Sequence, residues 1–172
     1  MRKILLFAVL ALVAIPAAFA QGTTSPTDQA STLCKAQRAA IGAPAFKLLY
    51  GGNSNAYGRC VSKLASAVSA NNANAAKQCA AERSDATFAA THDGKTFAQT
   101  YGTGKNGNNA FGRCVSSKAK TLQDAQQQAT INAAKTCKAE RNAMGPVAFT
   151  TKYGGHSNAF GKCVSKAAKA TP

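Results

Sequence analysis

The sequence predicts an all-α protein made of three disulfide-stapled helical-hairpin repeats joined by Ala-rich helices. Three observations carry that prediction: a cysteine-bounded segment that recurs three times, long Ala-rich stretches without Gly or Pro, and six cysteines placed two to a copy.

The recurrence comes first because it organises the rest. Cys34 to Lys63 aligns over Cys137 to Lys166 without a gap, with 19 identical positions out of 30. The middle copy, Cys79 to Lys118, keeps Cys79-Ala80-Ala81-Glu82-Arg83 at its start, Phe97 to Gly102 in its middle and Asn109 to Ser116 at its end. Its extra residues fall around Thr87 to Lys95 and Thr103 to Asn108, both rich in Gly, Asp, Asn and Thr, which is the signature of loop growth on an unchanged unit.

Within each unit the first cysteine sits in Ala-rich sequence of high helix propensity. Gly42 and Gly145, followed by Pro44 and Pro146, mark where that helix stops in the outer copies. Arg38, Arg83 and Arg141 near this end suit the helix dipole and need no other role. Asn55, Asn109 and Asn158 are expected to cap the second helix with their side chains. Behind them Tyr57, Cys60, Val61, Leu64 and Val68 recur at three and four residues and define one apolar face. Phe111, Cys114, Val115 and Leu122 echo that face in the second copy, and Phe160, Cys163, Val164 and Ala167 in the third.

The linkers extend these helices. Arg113 to Met144 contains neither Gly nor Pro, so the end of the second unit is expected to run as one helix into the third, while Asn71-Asn72 weakens the same expectation for the first linker. Cysteines on one continuous helix cannot bond: 19 residues of helix between Cys60 and Cys79 span about 28 Å. Six cysteines in an exported chain read as three disulfides, and the scheme that repeats once per unit is Cys34–Cys60, Cys79–Cys114 and Cys137–Cys163. Each bond would clamp an antiparallel helix pair.

The amino end reads as a secretory leader. Arg2 and Lys3 precede an apolar run from Ile4 to Ile15 and an Ala18-Phe19-Ala20 end, so residues 1–20 are a signal peptide with cleavage expected after Ala20. The apolar run is shorter than a bilayer span requires, and no later segment is apolar enough to be one. Residues 21–172 then form one helical domain of three repeats, 34–63, 79–118 and 137–166, secreted or associated with the cell envelope.

Charge narrows the partners. The chain holds 21 Lys and Arg against 6 Asp and Glu, a net charge of +15 that falls to about +13 once Arg2 and Lys3 leave with the leader. Such an excess draws a protein toward polyanions. Arg59 with Lys63 and Lys162 with Lys166 lie one helical turn apart off the apolar face, and Arg113 with Lys118 approximates this in the middle copy. Three such pairs would suit an extended anionic polymer through counterion release and avidity. Nucleic acid is a possible but not the favoured partner, because Tyr50, Tyr101 and Tyr153 are expected to pack beneath a turn rather than to stack on bases.

No catalytic constellation stands out. His92 and His156 have no counterpart in the first copy, which has Asn53 in place of His156. Glu82 and Glu140 align with Gln37, so a carboxylate is not common to all units; beside Arg83 and Arg141 they read as exposed helical pairs of little consequence. Ser62, Ser116 and Ser165 recur without an adjacent base. No Cys-x-x-Cys occurs and neither histidine stands at ligand spacing from a cysteine, so no metal or cofactor is expected.

The combination of Cys-x-x-Glu-Arg, Ala-Phe-x-x-x-Tyr-Gly and Asn-Ala-Phe-Gly-Lys-Cys-Val-Ser behind a leader resembles repeats in a family of uncharacterised exported bacterial proteins. It covers most of the chain after residue 20, departing at Gln37 and in the enlarged middle copy, and it implies the repeat and the compartment but no mechanism. The expected function is therefore a non-enzymatic binding or structural module for an anionic partner. Two alternatives stand beside it: a hydrolase of envelope polymers, which a cleft gathering His92 or His156 with two carboxylates would favour where a continuous cationic face would favour binding, and a purely structural envelope protein.

Overall fold

The computed structural model describes residues 24–51, 54–104, 106–154 and 158–170. The leader, and with it the cleavage site and Gln21, lies outside the described residues, as does His156. Among the described residues there are eight helices and no strand. They are α1 (Pro26–Ile41), α2 (Ala43–Tyr50), α3 (Ala56–Ser84), α4 (Phe88–Thr91), α5 (Phe97–Tyr101), α6 (Ala110–Met144), α7 (Pro146–Lys152) and α8 (Ala159–Lys169).

Both linkers are helical throughout. Cys60 and Cys79 share α3, and Cys114 and Cys137 share α6. The Asn71-Asn72 pair does not interrupt α3. Asn71 donates to Gln126 at 3.1 Å, and Asn72 accepts from Gln123 at 3.4 Å, while the same Gln123 amide donates to Gln29 of α1 at 3.2 Å. Poor helix formers thus stand where their amides tie α3 to α6, with Gln123 carrying the link on to α1, which offsets their low propensity. Residues 71, 72 and 79 of α3 meet 126, 123 and 114 of α6, so these two long helices run antiparallel.

All three disulfides pair within a unit: Cys34–Cys60, Cys79–Cys114 and Cys137–Cys163, each with Cα atoms 6.0 Å apart. The six cysteines are essentially inaccessible, at most 2% exposed. A unit is more than a hairpin, because a short helix occupies each connection: α2, α5 and α7 respectively. In the outer copies α1 and α6 stop at Gly42 and Gly145, whose φ/ψ of 81/153 and 80/157 belong to a region open only to glycine. A proline then starts the short helix at its first turn, where its missing N–H costs nothing. Gly145→Ala is expected to cost about 1–3 kcal/mol in denaturant unfolding of the oxidised protein. An unchanged midpoint would show that this joint tolerates a side chain.

The asparagine caps did not form as expected. Asn55, Asn109 and Asn158 occupy the cap position, but none accepts a hydrogen bond there from the first turn. Their φ/ψ, for example −93/12 at Asn55, is turn-like rather than extended, which aims the side chain away from the orphan amides. A methyl group on Gly58 or Gly161 would stand 2.5 or 2.6 Å from the Oδ1 of Asn55 or Asn158, so these asparagine side chains lie over the glycine and would have to turn aside for a larger residue. Side-chain caps occur instead at Ser25, which accepts from the Asp28 N–H at 3.1 Å, and at Thr96 with Gln99 as a reciprocal pair.

The outer units pack on each other and the middle one stands apart. One buried cluster joins Cys34, Phe46 and Cys60 of the first unit with Phe149, Phe160 and Cys163 of the third and with Ile131 of the preceding linker in α6, and Leu48 and Leu49 of α2 pack against it. The middle copy has Gln99 and Thr100 where the first has Leu48 and Leu49, so its short helix lacks that apolar surface. It builds a local aromatic stack, with Phe88 beside His92, Phe97 and Tyr101.

Candidate functional site

One polar contact recurs in every unit. The residue three positions after the first cysteine accepts a hydrogen bond from the tyrosine of the connection: Tyr50 Oη to Gln37 Oε1 at 2.6 Å, Tyr101 Oη to Glu82 Oε2 at 2.9 Å, and Tyr153 Oη to Glu140 Oε2 at 2.9 Å. The three tyrosines are held beneath the connection, and the carboxylates are not the exposed helical pairs that their sequence positions suggest.

Each carboxylate has a lysine of its own. Lys118 Nζ lies 2.8 Å from Glu82, and Lys152 Nζ lies 2.7 Å from Glu140. The first unit has Leu49 at the position of Lys152, and there the acceptor is the neutral Gln37, 1% exposed, against side chains of Glu82 and Glu140 that remain 29% and 25% exposed. Charge therefore appears at this position only where water reaches it and a lysine compensates it, as the cost of a buried lone carboxylate requires.

These partners set the protonation behaviour. Burial by itself would raise the Glu82 carboxyl, but hydrogen bonds from Lys118 and Tyr101 with the Lys118 charge outweigh it and hold the group below its ordinary value. Glu140 is lowered by the hydrogen bond from Lys152, then by that from Tyr153. Both contribute stability that is present above the ordinary carboxyl range and lost as pH falls through the lowered values. Glu140→Gln is expected to flatten this part of the acid limb in an unfolding titration below pH 4.5, the carboxyl's ordinary value. An acid limb identical to that of the parent chain would contradict the assignment. Tyr50 moves the other way: burial pushes it up to about 12 against the lowering effect of Gln37, so it stays protonated and a donor through the neutral range.

The six cations singled out in the sequence do not share one situation. The Arg59 guanidinium folds back against Gly51, and Lys162, its counterpart, donates to the Gly154 carbonyl at 2.5 Å. Lys118 is committed to Glu82. Lys63, Arg113 and Lys166 are exposed, and among the described residues no hydrogen bond or ion pair holds them.

A cleft of about 480 Å³ opens in the middle unit. It is walled by Phe88, Phe97 and Phe111, with Glu82, Arg83 and Asp85 at its edge. The two inserted stretches supply Phe88, Ala89, Gly107 and Asn108 to its lining, and sequence patterning did not reveal it. Arg83 lies over the Phe111 ring, 5.0 Å from its centroid. Asp85 Oδ1 accepts from the Thr87 N–H at 2.8 Å and its hydroxyl at 2.7 Å, which lowers the Asp85 carboxyl. His92 stacks on Phe88 behind the wall, with Nδ1 2.9 Å from the Phe88 carbonyl. Two carboxylates thus border one cleft near a histidine, yet both are shifted away from the raised proton affinity that a general acid needs. Among the described residues no group of three potential ligands is gathered for a metal. No protein-family model, curated protein or solved structure matches the chain.

Proposed function

We propose that the chain is an exported, non-enzymatic binding module whose exposed cations engage an extended anionic partner, with an acidic polymer of the cell envelope as the partner that its charge fits. The observation that carries this reading is the asymmetry in how charge is used. Glu82 and Glu140 each meet a tyrosine and a lysine, whereas Lys63, Arg113 and Lys166 stay exposed and make no hydrogen bond or ion pair among the described residues, Lys166 adding only its charge in the neighbourhood of Glu140. With 21 basic residues against 6 acidic ones, the surface field is positive, and binding to a polyanion releases its counterions.

The covalent framework supports an oxidising compartment. Three disulfides and no free cysteine among the described residues fit an oxidising environment, and no described helix is long and apolar enough to cross a membrane. Units fixed by these bonds present their cations at set spacings, so several weak contacts act together on one polymer chain.

The test is a variant in which Lys63, Arg113 and Lys166 are all changed to Gln. Its retention on an acidic polysaccharide column at fixed low salt should fall by about tenfold or more, with thermal stability unchanged. Changing Lys120, which pairs with Asp124 on the exposed face of α6, is the control and should have little effect. Equal losses from both changes would reduce the reading to bulk charge alone.

A further inference from the structure

We infer that the polyanion docks on one end of the molecule, the body that the two outer units form together, with the middle unit held away from it. This rests on the polyanion reading and assigns the surface that carries it.

The fold joins the outer units although the sequence puts the middle unit between them. Phe46 and Tyr50 of the first unit share a buried cluster with Phe149 and Phe160 of the third. The approach is close: a methyl group added at Gly161 of α8 would stand 3.4 Å from the carbonyl oxygen of Leu49 near the end of α2. The middle unit sits at the far end of the two long helices. Cys79 lies 19 residues along α3 from Cys60, and Cys114 lies 23 residues along α6 from Cys137, which puts the middle disulfide about 28–35 Å from the other two.

Charge divides between these two ends. Residues 34–63 and 137–166 together hold ten Lys and Arg against one acid, a net +9, and that acid, Glu140, is already paired with Lys152. All ten of these cations except Arg141 are exposed. Residues 79–118 hold five Lys and Arg against Glu82, Asp85 and Asp93, a net +2. Two of those five are engaged, Lys118 with Glu82 and Arg83 over the Phe111 ring. The remaining acids, Asp28 and Asp124, lie outside all three units and meet Ser25 and Lys120. Distance then makes the two ends independent. At physiological ionic strength the field of an exposed charge decays over about 8 Å, several times less than the roughly 28 Å between the ends. A polymer lying against the outer units therefore meets their +9, whereas one laid over the middle unit meets three carboxylates among its cations. Docking on the outer end leaves the middle unit and its cleft projecting away from the polymer.

The test removes three exposed lysines from each end in turn. The outer variant carries Lys35→Gln, Lys47→Gln and Lys138→Gln; the middle variant carries Lys77→Gln, Lys95→Gln and Lys120→Gln. Both lose the same total charge, so bulk charge predicts the same result for each. On an acidic polysaccharide column at fixed low salt, the oxidised outer variant should lose about tenfold or more of its retention, and its log–log salt dependence should become shallower by about two. The middle variant should lose less than about twofold, with the salt dependence kept. Both should melt as the parent does, since every change is exposed. If the triple outer change lowers the melting point, Lys47→Gln and Lys138→Gln made singly give the same comparison against Lys77→Gln and Lys95→Gln. Equal losses at the two ends, or a larger loss at the middle end, with the parent chain retained, would overturn docking at the outer end and leave the polyanion reading standing. A parent chain that is not retained at low salt would remove both.

Discussion

Gln37→Glu is expected to destabilise the oxidised protein by about 3–5 kcal/mol at neutral pH, the cost of an uncompensated charge in the interior. The substitution is nearly isosteric and recreates the residue found at this position in the other two units. A reading based on the repeat alone would call it harmless. The structure says otherwise, because Gln37 is 1% exposed, Tyr50 can donate only one hydrogen bond to it, and Leu49 stands where Lys152 neutralises Glu140. Since desolvation raises the carboxyl of such a variant, the folded chain would hold its proton more tightly than the unfolded one. The deficit should then shrink as pH falls and grow as pH rises through that raised value. Adding Leu49→Lys should recover part of the loss by supplying the missing partner. Denaturant unfolding of both variants between acid and neutral pH measures this, and a single variant as stable as the parent at neutral pH would show that water already reaches the site.

Removal of the disulfides is the second large effect. Cys34–Cys60 and Cys137–Cys163 each close a loop with a sequence separation of 26, and Cys79–Cys114 closes one of 35. Chain entropy assigns each bond roughly 3.5 kcal/mol, so reducing all three removes about 10 kcal/mol, as much as the entire stability of an ordinary domain. The core they support is thin, since much of what is buried is Ala and Cys, with Phe46, Tyr50, Phe88, Phe149 and Phe160 as its aromatic members. Full reduction should therefore abolish the cooperative thermal transition at room temperature and above. The double change Cys137→Ala with Cys163→Ala should cost more than its counterpart in the middle unit, because the third unit's bond lies in the cluster that also holds the first unit together. A reduced chain that still melts cooperatively near the oxidised midpoint would mean that packing, and not the staples, holds the units.

Much of this was open to sequence reasoning, and the failures have a common cause. The glycine stops at Gly42 and Gly145, the continuous helix through Arg113 to Met144, and the three pairings follow from local propensity and from the repeat, both of which are written along the chain. The contact between Gln37 and Tyr50, and its Glu–Tyr counterparts, joins positions 13, 19 and 13 residues apart across a connection of variable length, so no periodicity announces it. The alignment did carry a usable signal: Glu140 comes with Lys152, whereas Gln37 comes with Leu49. Asn71 and Asn72 were misread as a weakness because propensity counts a residue's own helix and not the amides it meets on the next. Arg59 and Lys162 looked like free cations because nothing in their spacing shows that they fold back onto the glycines of the turn. The cleft was invisible for the same reason, since Arg83 and Phe111 come together only when α3 and α6 pack.

The most direct test of the binding account is retention of the oxidised chain after residue 20 on acidic polysaccharide, purified envelope and DNA across a salt series. The account predicts retention at low salt that falls steeply and log-linearly as salt rises, with the envelope polymer holding the chain to higher salt than DNA does. Absence of retention at low salt, or retention that salt does not move, would contradict it.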